Sequence, residues 1–268
     1  MDLKGKRALI TGGSSGIGFA LAKAMLAKEA RVVITGRRAD VLSKAVNDLE
    51  GPGCDISGVA ADVGTSEGRI TTIERALAKM RGIDILVDNA GVVRAGRLEQ
   101  IAEADIRTMV EVDLLAPILL TRTALPALRE SGNSLVVRVS SGIGLIGTPF
   151  YTTYSAVKAG LANFGDALCR ELLGEGIHVL TVYPVATDTE MMRSSNAGPE
   201  LGWAREPVFK VADAVVAGIE SDALVVIRGG ETRADMIALN RGDPKAVDER
   251  YLANKAALEE AVRDHSSL

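Results

Sequence analysis

Two hydrophobic rhythms alternate along the chain. Short, mostly apolar runs occupy residues 8–10, 31–35, 56–60, 83–87, 135–139, 179–183 and 223–227. Runs of that length, rich in Val, Ile and Leu, read as strands covered on both faces. Between them apolar positions recur at steps of three and four, as in Ile17, Ala20, Leu21, Ala24 and Met25. Further helices are predicted over 40–49, from a cap at Thr65 or Ser66 to residue 80, over 103–128 and over 152–173. Pro117 falls inside the 103–128 stretch and is expected to distort that helix one turn upstream, near Asp113. After the seventh run, 244–262 is a charged helical tail rich in Ala, Glu and Lys, which offers a surface to a partner subunit. Strict alternation of strand and helix predicts an α/β fold, a parallel sheet with helices on both faces and right-handed crossovers.

Composition narrows the picture. With 268 residues and 47% hydrophobic residues, one large core is affordable, so residues 1–242 are expected to form a single domain and 243–268 its helical extension. A net charge of −4 with scattered Lys and Arg leaves no basic stripe and excludes a nucleic-acid partner. No apolar run reaches the ~18 residues of a membrane span, and the apolar stretch after the basic N-terminus is too short for a signal peptide. Cys54 and Cys169, the two cysteines, are far apart and lack metal-ligand spacing. No metal site is expected, and a reducing, cytoplasmic setting suits both thiols.

In open α/β sheets ligands gather beyond the carboxyl ends of the strands. Ser14, Arg37, Asp62, Asn89, Ser141 and Pro184 all fall there. The first such turn, Thr11 to Gly18, joins strand to helix through glycines with separate tasks. Gly12 permits a tight exit, Gly16 a close backbone approach to a ligand, and Gly18 close packing of helix on strand. The first-turn N–H groups of the helix then favour an anion such as a pyrophosphate. At the end of the second strand, where a carboxylate would select a free ribose 2′-hydroxyl, the chain has Gly36, Arg37 and Arg38. Two guanidinium groups attract a 2′-phosphate, which favours NADP over NAD. Tyr154 and Lys158 stand four residues apart on one helix face. On spacing alone this is also what an ordinary surface pair looks like. To act as a base near neutrality a tyrosine must fall from a pKa of ~10 to near 7, about 4 kcal/mol, and a neighbouring cation pulls it that way.

Thr11-Gly12-x-x-x-Gly16-x-Gly18, Asn89-Ala90-Gly91, Ser141 and, thirteen residues on, Tyr154-x-x-x-Lys158 together resemble the short-chain dehydrogenase/reductase family. The resemblance implies a doubly wound, seven-stranded Rossmann sheet and reversible hydride transfer between a nicotinamide cofactor and an alcohol or carbonyl. It implies Tyr154 as general acid/base, Lys158 on the nicotinamide ribose, and Ser141 on the substrate oxygen. Cofactor contacts are implied for Gly12, Ser14, Ser15, Gly16, Ile17 and Gly18. Asp62 and Val63 would flank the adenine, Asn89, Ala90 and Gly91 the central ribose, and Pro184, Thr187 and Thr189 the nicotinamide. A substrate lid is implied over about 188–210, with Met191, Met192, Trp203 and Phe209 suggesting an apolar pocket, and assembly as a homodimer or homotetramer is implied. One departure bears on the chemistry: Asp113 stands where the family usually has the asparagine that holds a proton-relay water, and a buried charge there can raise the tyrosine pKa. Asp88 and Val185 are smaller departures. His178 reads as structural and His265 as part of a polar tail. The alternative that Asp113 motivates is a non-catalytic cofactor-binding sensor, and an isomerase or dehydratase of the same fold is a third reading.

Overall fold

A computed structural model describes all residues, 1–268. Each apolar run becomes a strand: β1 (Arg7–Ile10), β2 (Arg31–Gly36), β3 (Asp55–Ala60), β4 (Ile85–Asp88), β5 (Ser134–Val139), β6 (Ile177–Tyr183) and β7 (Val225–Ile227). They form one parallel sheet in the order β3-β2-β1-β4-β5-β6-β7. The order reverses direction between β1 and β4, and that break opens a crevice above the strand ends. The helices are α1 (Gly16–Leu26), α2 (Ala39–Leu49), α3 (Ser66–Met80), α4 (Glu103–Val110), α5 (Ala116–Ser131), α6 (Thr152–Glu171), α7 (Val208–Glu220), α8 (Gly230–Gly242) and α9 (Pro244–Val262).

Side chains alternate across the pleat, so each strand feeds two cores. Ala8, Ile10, Val32, Ile34, Ile85 and Val87 meet α1, α2 and α7 on one face. Leu9, Val33, Leu86, Val136 and Val179 meet α3, α5 and α6 on the other. Thr65 is the cap of α3, its hydroxyl accepting from the Gly68 N–H at 3.0 Å.

The stretch predicted as one helix over 103–128 is α4, a π-helical turn at Glu111–Leu115, and α5. Pro117 has no N–H to offer the Asp113 carbonyl four residues back, and the chain widens by a residue there. The lid expected to reach residue 210 ends earlier, because α7 begins at Val208. Phe209, expected near the pocket, is exposed on that helix. Nothing in the apolar pattern announced α8, which buries no residue at all. The tail helix α9 has the predicted bounds but turns Leu258 and Val262 inward, against Val93, Ala95 and Tyr151 of its own chain.

Candidate active site

One cavity of about 1110 Å³ runs along the carboxyl ends of the strands, from Arg37 and Asp62 at one end to α8 and α9 at the other. The glycine turn forms its floor. Gly12 (φ +63°) and Gly16 (φ +55°) adopt the left-handed conformation that a side chain would strain. A Cβ on Gly18 would come within 2.5 Å of the Gly12 carbonyl oxygen, so this glycine serves packing rather than the cavity wall. Thr11 and Asn89 tie the turn to the neighbouring strand end. The Thr11 hydroxyl accepts from the N–H groups of Asn89 and Ala90, both at 3.0 Å, and donates to the Val87 carbonyl at 3.1 Å. The Asn89 amide donates to the Thr11 and Gly12 carbonyls at 2.9 and 3.1 Å. Ser15, the N-cap of α1, makes no side-chain cap bond, so the first N–H groups of that helix remain available to an anion. Arg37 and Arg38 are exposed at the rim. Asp62 accepts from the Gly64 N–H at 2.9 Å through Oδ1. Open cradle, uncapped helix end and cationic rim together fit a phosphorylated dinucleotide.

In the middle of the cavity Tyr154 and Lys158 share one face of α6, with the ammonium 5.5 Å from the tyrosine ring centroid. Lys158 is buried, donates to the Val139 carbonyl at 3.2 Å, and is 2.9 Å from a carboxylate oxygen of Asp113. The other Asp113 oxygen accepts from the Val92 N–H at 3.1 Å. Asp113 sits in the π turn beneath the cavity wall and is fully buried; a Cβ on Gly91 would strike its carboxylate at 2.7 Å. Burial works to discharge Lys158, but Asp113, with Tyr154 and Asp88 adding to it, holds the ammonium protonated. Burial pushes the Tyr154 phenol up, Lys158 draws it down, and Asp113 pushes it up again. The phenol therefore lies above its ordinary value: Lys158 lowers it and Asp113 raises it, both as expected, and burial decides the balance. Ser141 faces the same space from the end of β5. Its neighbour Ser140 is buried, and its hydroxyl is engaged by the Lys158 carbonyl, to which it donates at 2.8 Å.

Of the residues singled out from sequence, Gly12, Ser14, Ser15, Gly16, Ile17, Arg37, Arg38, Asp62, Val63, Asn89, Ala90, Gly91, Ser141, Tyr154, Lys158, Pro184, Thr187 and Thr189 all line this cavity. Gly18 and Asp113 do not, and act from behind it. A family model described as short chain dehydrogenase matches residues 6–200. The chain belongs to the short-chain dehydrogenase/reductase family. It is similar to a ketoacyl reductase, HetN, of Nostoc sp., 31% identical over 93% of this chain and 89% of the relative. Among solved structures it resembles a short chain dehydrogenase from Burkholderia cenocepacia in complex with NADP (TM-score 0.78, 31% identity, 86% of this chain and 98% of that one). It also resembles a 3-ketoacyl-(acyl-carrier-protein) reductase from Brucella melitensis complexed with NADH (TM-score 0.76, 25% identity, 85% and 98%).

Several features of this short-chain dehydrogenase/reductase escaped the sequence reading. Asp88 is fully buried and pairs at 3.1 Å with Arg138, its register partner on β5, whose guanidinium lies 4.2 Å above the Phe164 ring. The one signal was a lone arginine within the apolar run 135–139. Burial pushes the Asp88 carboxyl up to about 7 despite Arg138. His265, read as part of a polar tail, is buried in the cavity wall, 3.0 Å from the Ser194 hydroxyl and edge-on to Tyr151. Burial draws its pKa down to about 4, helped by Arg205 and Arg94. Tyr151 stacks on Trp203 with centroids 5.1 Å apart. Met191, Met192 and Trp203, expected from sequence near an apolar pocket, do line it; Leu201 and Leu258 join them, and Arg233, Arg250, Tyr251 and Asn254 add polar groups.

Proposed function

We propose that this enzyme is an NADP(H)-preferring oxidoreductase that moves a hydride between nicotinamide and an alcohol/carbonyl substrate, with Tyr154 as general acid/base. The observation that carries the reading is the convergence of Ser141, Tyr154 and the Asp113-held Lys158 on the cavity floored by the glycine turn. Arg37 and Arg38, exposed and without carboxylate partners at the rim, support the choice of a 2′-phosphorylated cofactor. That a similar structure is an NADP complex agrees with it, and the NADH complex keeps NAD open as a second cofactor.

When bound, the nicotinamide ring accepts or supplies the hydride. The protein handles the proton. Ser141 donates to the substrate oxygen and holds it beside the Tyr154 hydroxyl. In reduction Tyr154 gives its proton to the oxygen that becomes the alcohol; in oxidation it takes that proton back. Lys158 stabilises the tyrosinate left after proton delivery, and Asp113 keeps Lys158 charged for that task. A phenol held above its ordinary value keeps its proton at neutral pH, the form in which it can act on a carbonyl. Thr187 and Thr189 would contact the nicotinamide carboxamide, and Asp62 with Val63 the adenine. Assembly as a homodimer or homotetramer through α4, α5 and α6 is supported by Val110 and Leu115, exposed at 40% and 37%. No helix is long and apolar enough to cross a membrane.

A panel of aldehydes, ketones and secondary alcohols assayed with both cofactors tests the reading through the change in reduced-nicotinamide absorbance. Turnover faster with NADPH than with NADH is expected. Tight NADPH binding with no turnover of any compound would instead favour the non-catalytic sensor, the reading motivated by the ion-paired Asp113.

A further inference from the structure

The substrate end of the cavity carries two guanidinium groups with no side-chain carboxylate partner. Of the arginines on the surrounding loops, Arg193 pairs with Glu190 at 2.8 Å, Arg228 with Glu206 and Arg263 with Glu260, while Arg205 and Arg94 donate to main-chain carbonyls. Arg233 and Arg250 line the cavity and have no such partner. Arg250 donates to the Met236 sulfur at 3.0 Å, and the one ionisable group acting on Arg233 is the neutral phenol of Tyr251. The side-chain carboxylates on the cavity wall are Asp62, at the opposite end, and Glu190, already taken by Arg193.

Arg233 is also placed where a cation is least welcome. It is half-buried in the first turn of α8, whose free N–H groups form the positive end of the helix. The N-cap of α8 is Gly229, which has no side chain to satisfy them, and Glu231 in the same turn is exposed and pairs with neither arginine. Burial draws the Arg233 pKa down, as expected for a guanidinium losing water without gaining a counter-charge. Its guanidinium carbon lies 3.1 Å from the place a Cβ on Gly142 would occupy, one residue along the chain from Ser141. The Arg233 fork, the start of α8 at Gly229 and Thr232, and a second guanidinium at the rim thus line one space beside the reacting centre. The lid side of that space is apolar, with Tyr151, Met191, Leu201 and Trp203. An anion completes the electrostatics that the fold leaves open.

We propose that this end of the cavity recognises a carboxylate or phosphate carried by the carbonyl or alcohol substrate, and that Arg233, with Arg250 at the rim, selects it. The inference rests on the dehydrogenase reading of the same site. It narrows the substrate class to anionic carbonyl compounds with an apolar body.

Three probes of one shape test it: 4-acetylbenzoate, 4-acetylphenyl phosphate and neutral methyl 4-acetylbenzoate. With NADPH-loaded wild type, kcat/KM for at least one anion is expected to exceed that for the ester by about tenfold or more, chiefly through KM, since a hydrogen bond to a charged group is worth about that much. Whether the carboxylate or the phosphate leads identifies the anion. Arg233→Met should bring the anion-to-ester ratio to within about threefold of one, and Arg233→Lys should restore part of it. Melting of the NADPH-loaded protein with each probe gives a readout that needs no turnover: the anion should stabilise wild type and not Arg233→Met. An equal ratio in wild type and Arg233→Met, a wild-type preference for the ester, or no anion-dependent stabilisation would overturn the proposal. Failure of wild type to bind NADPH, or to turn over any carbonyl, counts separately against the dehydrogenase reading.

Discussion

The cofactor end of the cavity is made of main chain, the substrate end of side chains. At the first, Gly12 and Gly16 hold backbone in left-handed turns, and Thr11 and Asn89 pin those turns through bonds of 2.9 to 3.1 Å. At the second, Tyr151, Trp203 and His265 come from the N-cap of α6, the lid and the tail, positions separated by fifty residues or more, and meet by packing and by one Ser194–His265 contact at 3.0 Å. The difference teaches where specificity resides. Main-chain construction suits a ligand that never changes, whereas side chains on lid and tail can vary without disturbing the sheet. Asp113 and Lys158 stand where the two ends join.

Breaking that joint should have the largest effect on folding. Asp113→Ala leaves Lys158 buried without its carboxylate and is expected to cost about 3–5 kcal/mol in a urea melt. A loss below about 1 kcal/mol would mean that the pair contributes no more than an exposed ion pair does. Asp113→Asn keeps the shape but removes a charge that raises the Tyr154 phenol, so the pH at which alcohol oxidation reaches half its plateau should fall.

The tail comes next. His265 is neutral in the fold, its pKa about 4 against an ordinary 6.5. Between those values the unfolded chain binds the extra proton, so stability is whole above pH 6.5, declines as pH falls toward 4, and levels off below. The decline amounts to about 3 kcal/mol for this nearly inaccessible ring. His265→Gln should flatten the melting temperature over that window; an unchanged slope would show that other groups set it. The smallest expected effect is at the opposite end and leaves stability alone, because Arg37 is exposed. Arg37→Glu should cut the preference for NADPH over NADH by about tenfold, and equal losses for both cofactors would remove the charge argument.

The same contrast explains what could be read from the chain. The strands were legible because burial on both faces demands continuous apolar runs, and the cofactor end because glycine, asparagine and strand-end positions are local signals. Pro117 even located the distortion at Asp113, since a missing N–H acts at a fixed distance. The substrate end was not legible. Arg233 lies on a helix with no buried residue and hence no apolar stripe, and His265 is surrounded in sequence by Asp264, Ser266 and Ser267. Their placement follows from tertiary packing of α8 and α9, which local pattern does not encode. Asp88 and Arg138 were visible separately, but only the β4–β5 register pairs them.

The measurement that goes most directly to the central claim is NADPH binding and turnover in Tyr154→Phe, compared with wild type on whichever carbonyl wild type reduces fastest. Phe keeps the ring and removes the proton. The account predicts unchanged NADPH affinity and kcat lower by about 10³-fold, within the range supplied by a positioned acid/base. Turnover within tenfold of wild type would contradict it, and would mean that the proton reaches the substrate without Tyr154.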